Sequence, residues 1–264
     1  MQKRLLTLIT TSFLSFKSMD VFSSDTDVLD NTEHFGSELK RQIAEQSILN
    51  YYNNIDFGDA AKPEYSTFRK AMIGYLNLQN QKKLGEKQVI TIIDYSLPST
   101  EKRLWVINLK AKKLLFHELV AHGRNSGNLY ASNFSNRMNS NATSLGFYIT
   151  GETYTGKFGR ALRLDGQELG INNRARERGV VMHGADYVSE AIAAAGRLGR
   201  SLGCPALAWD NKDEIIDAIM NKTVMYINGS DFQYDAKSLL LNAEQAFETL
   251  ASRGFEFTRK LRSL

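Results

Sequence analysis

The chain holds 264 residues, 42% of them hydrophobic, with a formal net charge of +4. That apolar content suffices for a buried core and excludes an intrinsically disordered chain, while so mild a positive balance, with no long basic run, argues against a nucleic-acid partner. The single cysteine, Cys204, excludes a disulfide framework within the chain.

Residues 1–24 read as an export signal. Lys3 and Arg4 give a positive start, "LLTLITTSFLSF" an apolar centre too short to span a membrane comfortably, and "VFSS" small residues for cleavage near Ser23 or Ser24. The expected location is outside the cytoplasm, with no integral membrane segment once the signal is removed. A lone thiol in an oxidising compartment is open to unwanted oxidation and needs a reason. A buried cysteine acting as a small hydrophobe is the alternative.

Residues 25–87 are expected to form a helical flank. "SELKRQIAEQSILNYY" could place Leu39, Ile43 and Ile48 on one face, and "PEYSTFRKAMIGYLNLQNQKK" has Phe68, Met72, Tyr75 and Leu76 at helical spacing behind Pro63. From Val89 the pattern changes to short β-branched and aromatic runs: "VITIIDY", "RLWVINL", "KLLFHELVA", "LGFYIT", "FGRALRL" and "GVVMHG". "INLKAKKLLFHELV" reads as a hairpin with Lys110, Ala111 and Lys112 at its tip. Helices are expected over "YVSEAIAAAG" and "NKDEIIDAIMN", the latter capped by Asp210 or Asn211, and a last strand over "TVMYING". The fold class is mainly β within α+β: an antiparallel β-sandwich over 88–230 with N- and C-terminal helices, the tail 231–264 being an amphipathic helix with a basic end.

"GVVMHG" and "GRSLGCPAL" concentrate the chemistry. A thiol becomes a nucleophile when an imidazole or backbone N–H groups stabilise its thiolate. His183 ends an apolar strand, and a helix of about ten residues, about 15 Å long, followed by a glycine-rich turn can return the chain to it. Gly184 and Gly203 allow close backbone approach, and Pro205 biases Cys204 toward an extended conformation. An oxyanion hole should use the N–H groups of Cys204 and its upstream neighbours.

With these motifs the chain resembles the L,D-transpeptidases of bacterial peptidoglycan, the YkuD-like fold, in the branch of murein L,D-transpeptidase catalytic domains. "HGADYVS", "GRSLGCPAL", "IIDYSLPSTEKRLWVINL", "LVAHGRNSG", "SNFSNRMNSNATSLGFYITGETYTGKFG" and "GVVMHG" carry the likeness over roughly 88–228. The resemblance implies Cys204 as nucleophile, His183 as general base, the Gly184 carbonyl orienting the imidazole, and Ser201 with Gly203 as the element before the cysteine; Gly146 and Phe147 match the family's Gly-x-Phe strand. Leu202 stands where the wider family often has a second histidine, and Ala206 where it often has an arginine, so Arg200 is a stand-in for the missing charge. Tyr187, Asn133, Ser135 and Ser144 are further substrate-binding candidates. His122, in "AHGRNSG", ends a strand as His183 does and is another. Arg174, Arg176 and Arg178 alternate before the His183 strand and read as a solvated edge; His34 and His117 read as structural or surface.

No metal-ligand spacing and no phosphate-cradling loop is present in the sequence, so no metal and no cofactor is implied. The expected function is exported peptidoglycan transpeptidation, with stem peptides as partners. An L,D-carboxypeptidase hydrolysing the same bond, or a catalytically weak wall-binding module, stays open. The thiol would separate the last of these, since a binding module has no need of a depressed thiol pKa.

Overall fold

Strand formation follows the β-branched runs. Val89–Asp94 (β1), Leu104–Asn108 (β2), Lys113–Glu118 (β3), Val120–Ala121 (β4), Gly146–Gly156 (β5), Gly159–Gly166 (β6), Val181–Gly184 (β7), Ala206–Leu207 (β8) and Val224–Asn228 (β9) are the strands of this computed structural model, which describes residues 25–156, 159–248 and 250. The export-signal reading falls on 1–24, outside the described residues. The described residues from Lys40 onward belong to one compact unit, which holds all of these strands, and those before Lys40 belong to another.

Among the described residues the strands join into one nine-stranded sheet in the order β3-β2-β1-β9-β5-β6-β7-β8-β4. The expected hairpin is there as the antiparallel β2–β3 pair, with Lys112 in the left-handed region at its tip. The pairing is not purely antiparallel as expected. β1 runs parallel to β9, and β7 runs parallel to β8. A parallel pair needs a crossover, and the segment after β7 supplies one through Glu190–Ala194 (α3), whose N-terminus is capped by Ser189 Oγ accepting from the Ile192 N–H at 3.3 Å. Leu119, Ala121, Ala185, Val188, Ala193, Leu198 and Ala206 form a small core of their own that holds this crossover down.

Every position of β1 is buried, so the sheet is covered on both faces at its centre. The helix Tyr65–Asn80 (α2) buries Phe68, Met72, Tyr75 and Leu76 as its spacing predicts, and its Gly74 lies so close to the Phe147 ring that an added Cβ would meet it at 2.0 Å. Asp25–Asn53 (α1) turns a different stripe inward than expected: Ala44 and Ile48, four apart, are buried, while Leu39 and Ile43 are exposed. Trp209–Ile219 (α4) begins earlier than expected. Its N-cap is Ala208 with no side-chain cap, so neither Asp210 nor Asn211 caps it; Asp210 sits in the first turn, where a negative charge favours the dipole. The C-terminal part is not one helix: Phe232–Lys237 (α5) ends where Ser238 adopts an extended conformation, and the Ser238 hydroxyl donates to the buried Glu168 carboxylate, tying the segment to the sheet. Among the described residues no helix is long and apolar enough to cross a membrane.

Candidate active site

The parallel β7–β8 register decides the site. His183 pairs with Ala206, and two residues earlier on each chain Val181 stands beside Cys204. The Val181 N–H accordingly points at Cys204 Sγ, 3.4 Å away. Val181 and His183 are alternate residues of one strand, about 7 Å apart, which brings Cys204, beside the first of them, to the wall that holds His183. Both line a cleft of about 500 Å³ whose rim includes Tyr154, Tyr187, Leu202 and Trp209.

The His183 tautomer follows from its partner. Nδ1 lies 2.8 Å from the Gly184 carbonyl, which can only accept, so the proton sits on Nδ1 and Nε2 keeps the lone pair. Burial lowers the imidazole pKa, partly opposed by that hydrogen bond. Burial also pushes the Cys204 thiol up, against the Val181 N–H and the Arg178 guanidinium, which lower it. The depressed thiol that would mark a preformed thiolate is therefore not what this site favours: thiol and imidazole both rest neutral. The thiol's own donor contact is the Gly179 carbonyl at 3.8 Å, too long to hold the S–H firmly.

The turn carrying the cysteine is fixed by Ser201, whose Oγ donates to the Cys204 carbonyl at 2.6 Å and accepts from the Gly203 N–H at 3.0 Å. Gly203 has φ +124°, and a Cβ there would meet the Ala142 carbonyl at 2.9 Å, so glycine is required twice over. Gly184 is required for another reason. An added Cβ would meet the Trp209 ring at 2.5 Å, and that ring is pinned by its Nε1–H to Asp186 Oδ1 at 2.6 Å. Gly184→Ala should therefore push Trp209 off the histidine turn and cost about 1–3 kcal/mol by overpacking, read as a lowered urea midpoint at unchanged slope.

The remaining candidates divide. Tyr187, its phenol pushed up to about 12 by burial, lines the cleft. Arg200 also lines it, anchored through Nη1 to the Arg124 and Gly127 carbonyls and Asn128 Oδ1. Asn133 and Ser135 line a separate open hollow with Asn125 and Ser140. Ser144 is buried, its hydroxyl donating to the Ser135 carbonyl at 2.9 Å. His122 is wholly buried, its Nδ1 accepting from Arg103 Nη2 at 2.8 Å; only its backbone serves the cysteine turn, the Ser201 N–H donating to the His122 carbonyl at 3.0 Å. His117 is half-buried, stacked on Trp105.

Sequence reasoning passed over Trp209 and read Arg178 as part of a solvated edge. Arg174 pairs with Glu177, and Arg176 with Asp165 and Glu152, both on the surface as an edge reading expects. Arg178 instead turns inward to the cleft wall.

The model of the L,D-transpeptidase catalytic domain matches residues 59–228, well over half of the chain. No curated protein matches. Among solved structures, an L,D-transpeptidase from Mycobacterium smegmatis is 15% identical with a TM-score of 0.35, over 54% of this chain and 59% of that one. L,D-transpeptidase 1 of Mycobacterium tuberculosis is 15% identical with a TM-score of 0.33, over 54% and 63%. An L,D-transpeptidase from Stackebrandtia nassauensis is 13% identical with a TM-score of 0.33, over 72% and 92%. The chain thus spans about three fifths of the length of the first two. From the match over 59–228, which takes in β1 to β9 and the whole cleft, this chain belongs to the L,D-transpeptidase catalytic domain family.

Proposed function

We propose that this chain is an exported, cysteine-dependent peptidoglycan transpeptidase whose catalytic body is 88–230. The observation that carries the reading is the β7–β8 register, which brings Cys204, beside Val181, into one cleft with an imidazole whose acceptor nitrogen is Nε2. In the first half-reaction Sγ attacks the carbonyl of the third stem residue, a diaminopimelate, as its proton passes to His183 Nε2. The Gly203 N–H is engaged by Ser201, which leads us to assign the developing oxyanion to the Cys204 N–H. Collapse breaks the C–N bond to the terminal D-alanine, whose nitrogen takes the proton from His183, leaving a thioester. An amine of a neighbouring stem then attacks the thioester, His183 takes its proton, and the thiol is restored with a 3-3 cross-link formed. Tyr187 and Arg200 flank the stem in this reading.

Because thiol and imidazole rest neutral, proton transfer accompanies attack rather than preceding it. A site of this kind needs no oxidant-sensitive resting thiolate, which suits a lone cysteine in the periplasm. Hydrolysis shares every step up to the thioester, so the product decides. Incubating disaccharide-tetrapeptide muropeptides with the full chain and with Cys204→Ala, then weighing the products by mass spectrometry, should give cross-linked dimers short of one D-alanine with the wild type only. Tripeptide monomers alone would make it a carboxypeptidase, and unchanged muropeptides in both samples would overturn the reading in favour of a wall-binding module.

A further inference from the structure

Arg178 has four acceptors, and none of them carries charge. Nη1 donates to the Ser135 carbonyl at 2.7 Å and to Ser144 Oγ; Nη2 donates to the Ala142 carbonyl at 2.6 Å and Ser140 Oγ at 3.1 Å. Among the described residues no carboxylate is in ion-pair contact with it, in contrast to Arg174 and Arg176, which are neutralised in the same short segment. A half-buried guanidinium held only by neutral oxygens has no counter-charge to cancel it, and only its exposed part is screened by solvent.

Where that field falls is set by the backbone. The Ala142 carbonyl that Arg178 holds lies 2.9 Å from where a Gly203 Cβ would stand, and Arg178 Nη2 lies 3.4 Å from the same point. Thr143 Oγ1 donates to the Gly203 carbonyl at 3.4 Å and accepts from the Gly123 N–H at 3.0 Å, closing the segment onto the cysteine turn. One side chain thus fastens 135–144 against the residue before Cys204 and stands with Cys204 in the cleft wall.

We infer that Arg178 is a positioning residue with an electrostatic part in the reaction: it clamps the 135–144 segment under the cysteine turn and supplies the uncompensated positive charge that stabilises the sulfur as it gives up its proton. This rests on the reading of Cys204 as nucleophile. The titratable and charged groups around the thiol and along its cleft are Arg178, Arg200, Asp186, His183 on β7, and the phenols of Tyr95, Tyr148 and Tyr187. The phenols are all pushed up by burial and stay neutral, and His183 rests neutral; Asp186 accepts from Trp209 Nε1 and Arg200 Nη1 is turned to the Arg124 and Gly127 carbonyls, which leaves Arg178 as the cation that lowers the thiol pKa.

The test is the pH dependence of Cys204 alkylation by iodoacetamide in the full chain, for wild type, Arg178→Gln and Arg178→Lys, with hydrogen exchange over 135–144. Loss of one nearby opposite charge moves a pKa by about one unit or more, which at about pH 8, below the thiol pKa, slows alkylation about tenfold. We expect Arg178→Gln to move the inflection upward by that amount, Arg178→Lys to recover most of it, and exchange over 135–144 to rise in both. An inflection unmoved in a folded Arg178→Gln, or moved equally by Lys and Gln, overturns the electrostatic part. If Arg178→Gln does not fold, the ratio of iodoacetate to iodoacetamide rates in Arg200→Gln, compared with a free thiol, decides: a ratio several-fold higher supports the inference and an equal ratio overturns it. These readings use no peptidoglycan, so a displaced inflection beside unchanged muropeptides keeps this inference while defeating the transpeptidase one.

Discussion

Replacing His183 by Gln should lower the rate of thioester formation by about 10²–10⁴-fold, the range expected for loss of a general base. Gln keeps a group able to donate to the Gly184 carbonyl, so the turn should stay folded while the proton acceptor disappears. The pH profile of kcat/KM is the sharper reading. In the proposed mechanism His183 acts in its neutral form, and burial holds its pKa below the ordinary histidine value, so the acid limb should fall below about pH 6.5. Burial holds the Cys204 thiol above its ordinary value, so the wild type should stay active across the neutral range with its thiol protonated. In His183→Gln the acid limb should vanish and the residual rate should climb with pH as free thiolate forms. A variant that kept the wild-type acid limb would assign that limb, and the base, to another group.

Much of this was readable from the chain because burial imposes periodicity. The runs at Val89, Leu104 and Val224 are strands for the reason the pattern implies, and the Gly184 carbonyl is 2.8 Å from His183 Nδ1. Strand direction was not readable. A strand buried on both faces has the same sequence in a parallel as in an antiparallel ladder, and the β7–β8 pair, on which the whole site depends, differs from a hairpin only in the crossover through α3. Nor were the two histidines separable. "AHG" at His122 and "MHG" at His183 are local twins at strand ends, and what parts them is Arg103, distant in sequence, which fills the space beside His122. Arg178 hides in an alternating trio for the same reason: Arg174 and Arg176 find carboxylates at long or short range, whereas Gly179, at φ +69°, follows Arg178 at the turn into β7.

Acidification from about pH 6.5 to 4 should cost the wild type on the order of 3 kcal/mol of stability through His122 alone. Burial first, and the Arg103 guanidinium second, lower its pKa to about 4, against a smaller opposing pull from the Gly127 and Asn128 carbonyls. Nδ1 must stay unprotonated to accept from Arg103, and a proton there would set two cations 2.8 Å apart in the core. The folded pKa lies below the unfolded one near 6.5, so the unfolded chain binds more protons between the two values. Stability is full above about pH 6.5 and is lost as pH falls toward about 4, at about 1.36 kcal/mol per pKa unit. His183 and His117, also lowered by burial, add to the same limb, while the buried Glu168, raised by burial, works against it. The comparison with His122→Gln removes those shared contributions: its urea stability should lack the His122 share of the slope, whereas parallel curves would show that the Arg103–His122 pair does not set the acid limit. The consequence reaches the proposed nucleophile, Cys204, through the backbone, because the His122 carbonyl holds the Ser201 N–H and the Arg124 N–H holds the Ser201 carbonyl. Ser201 in turn fixes Cys204, so alkylation of Cys204 and global stability should decline together on the acid side in the wild type and separate in His122→Gln.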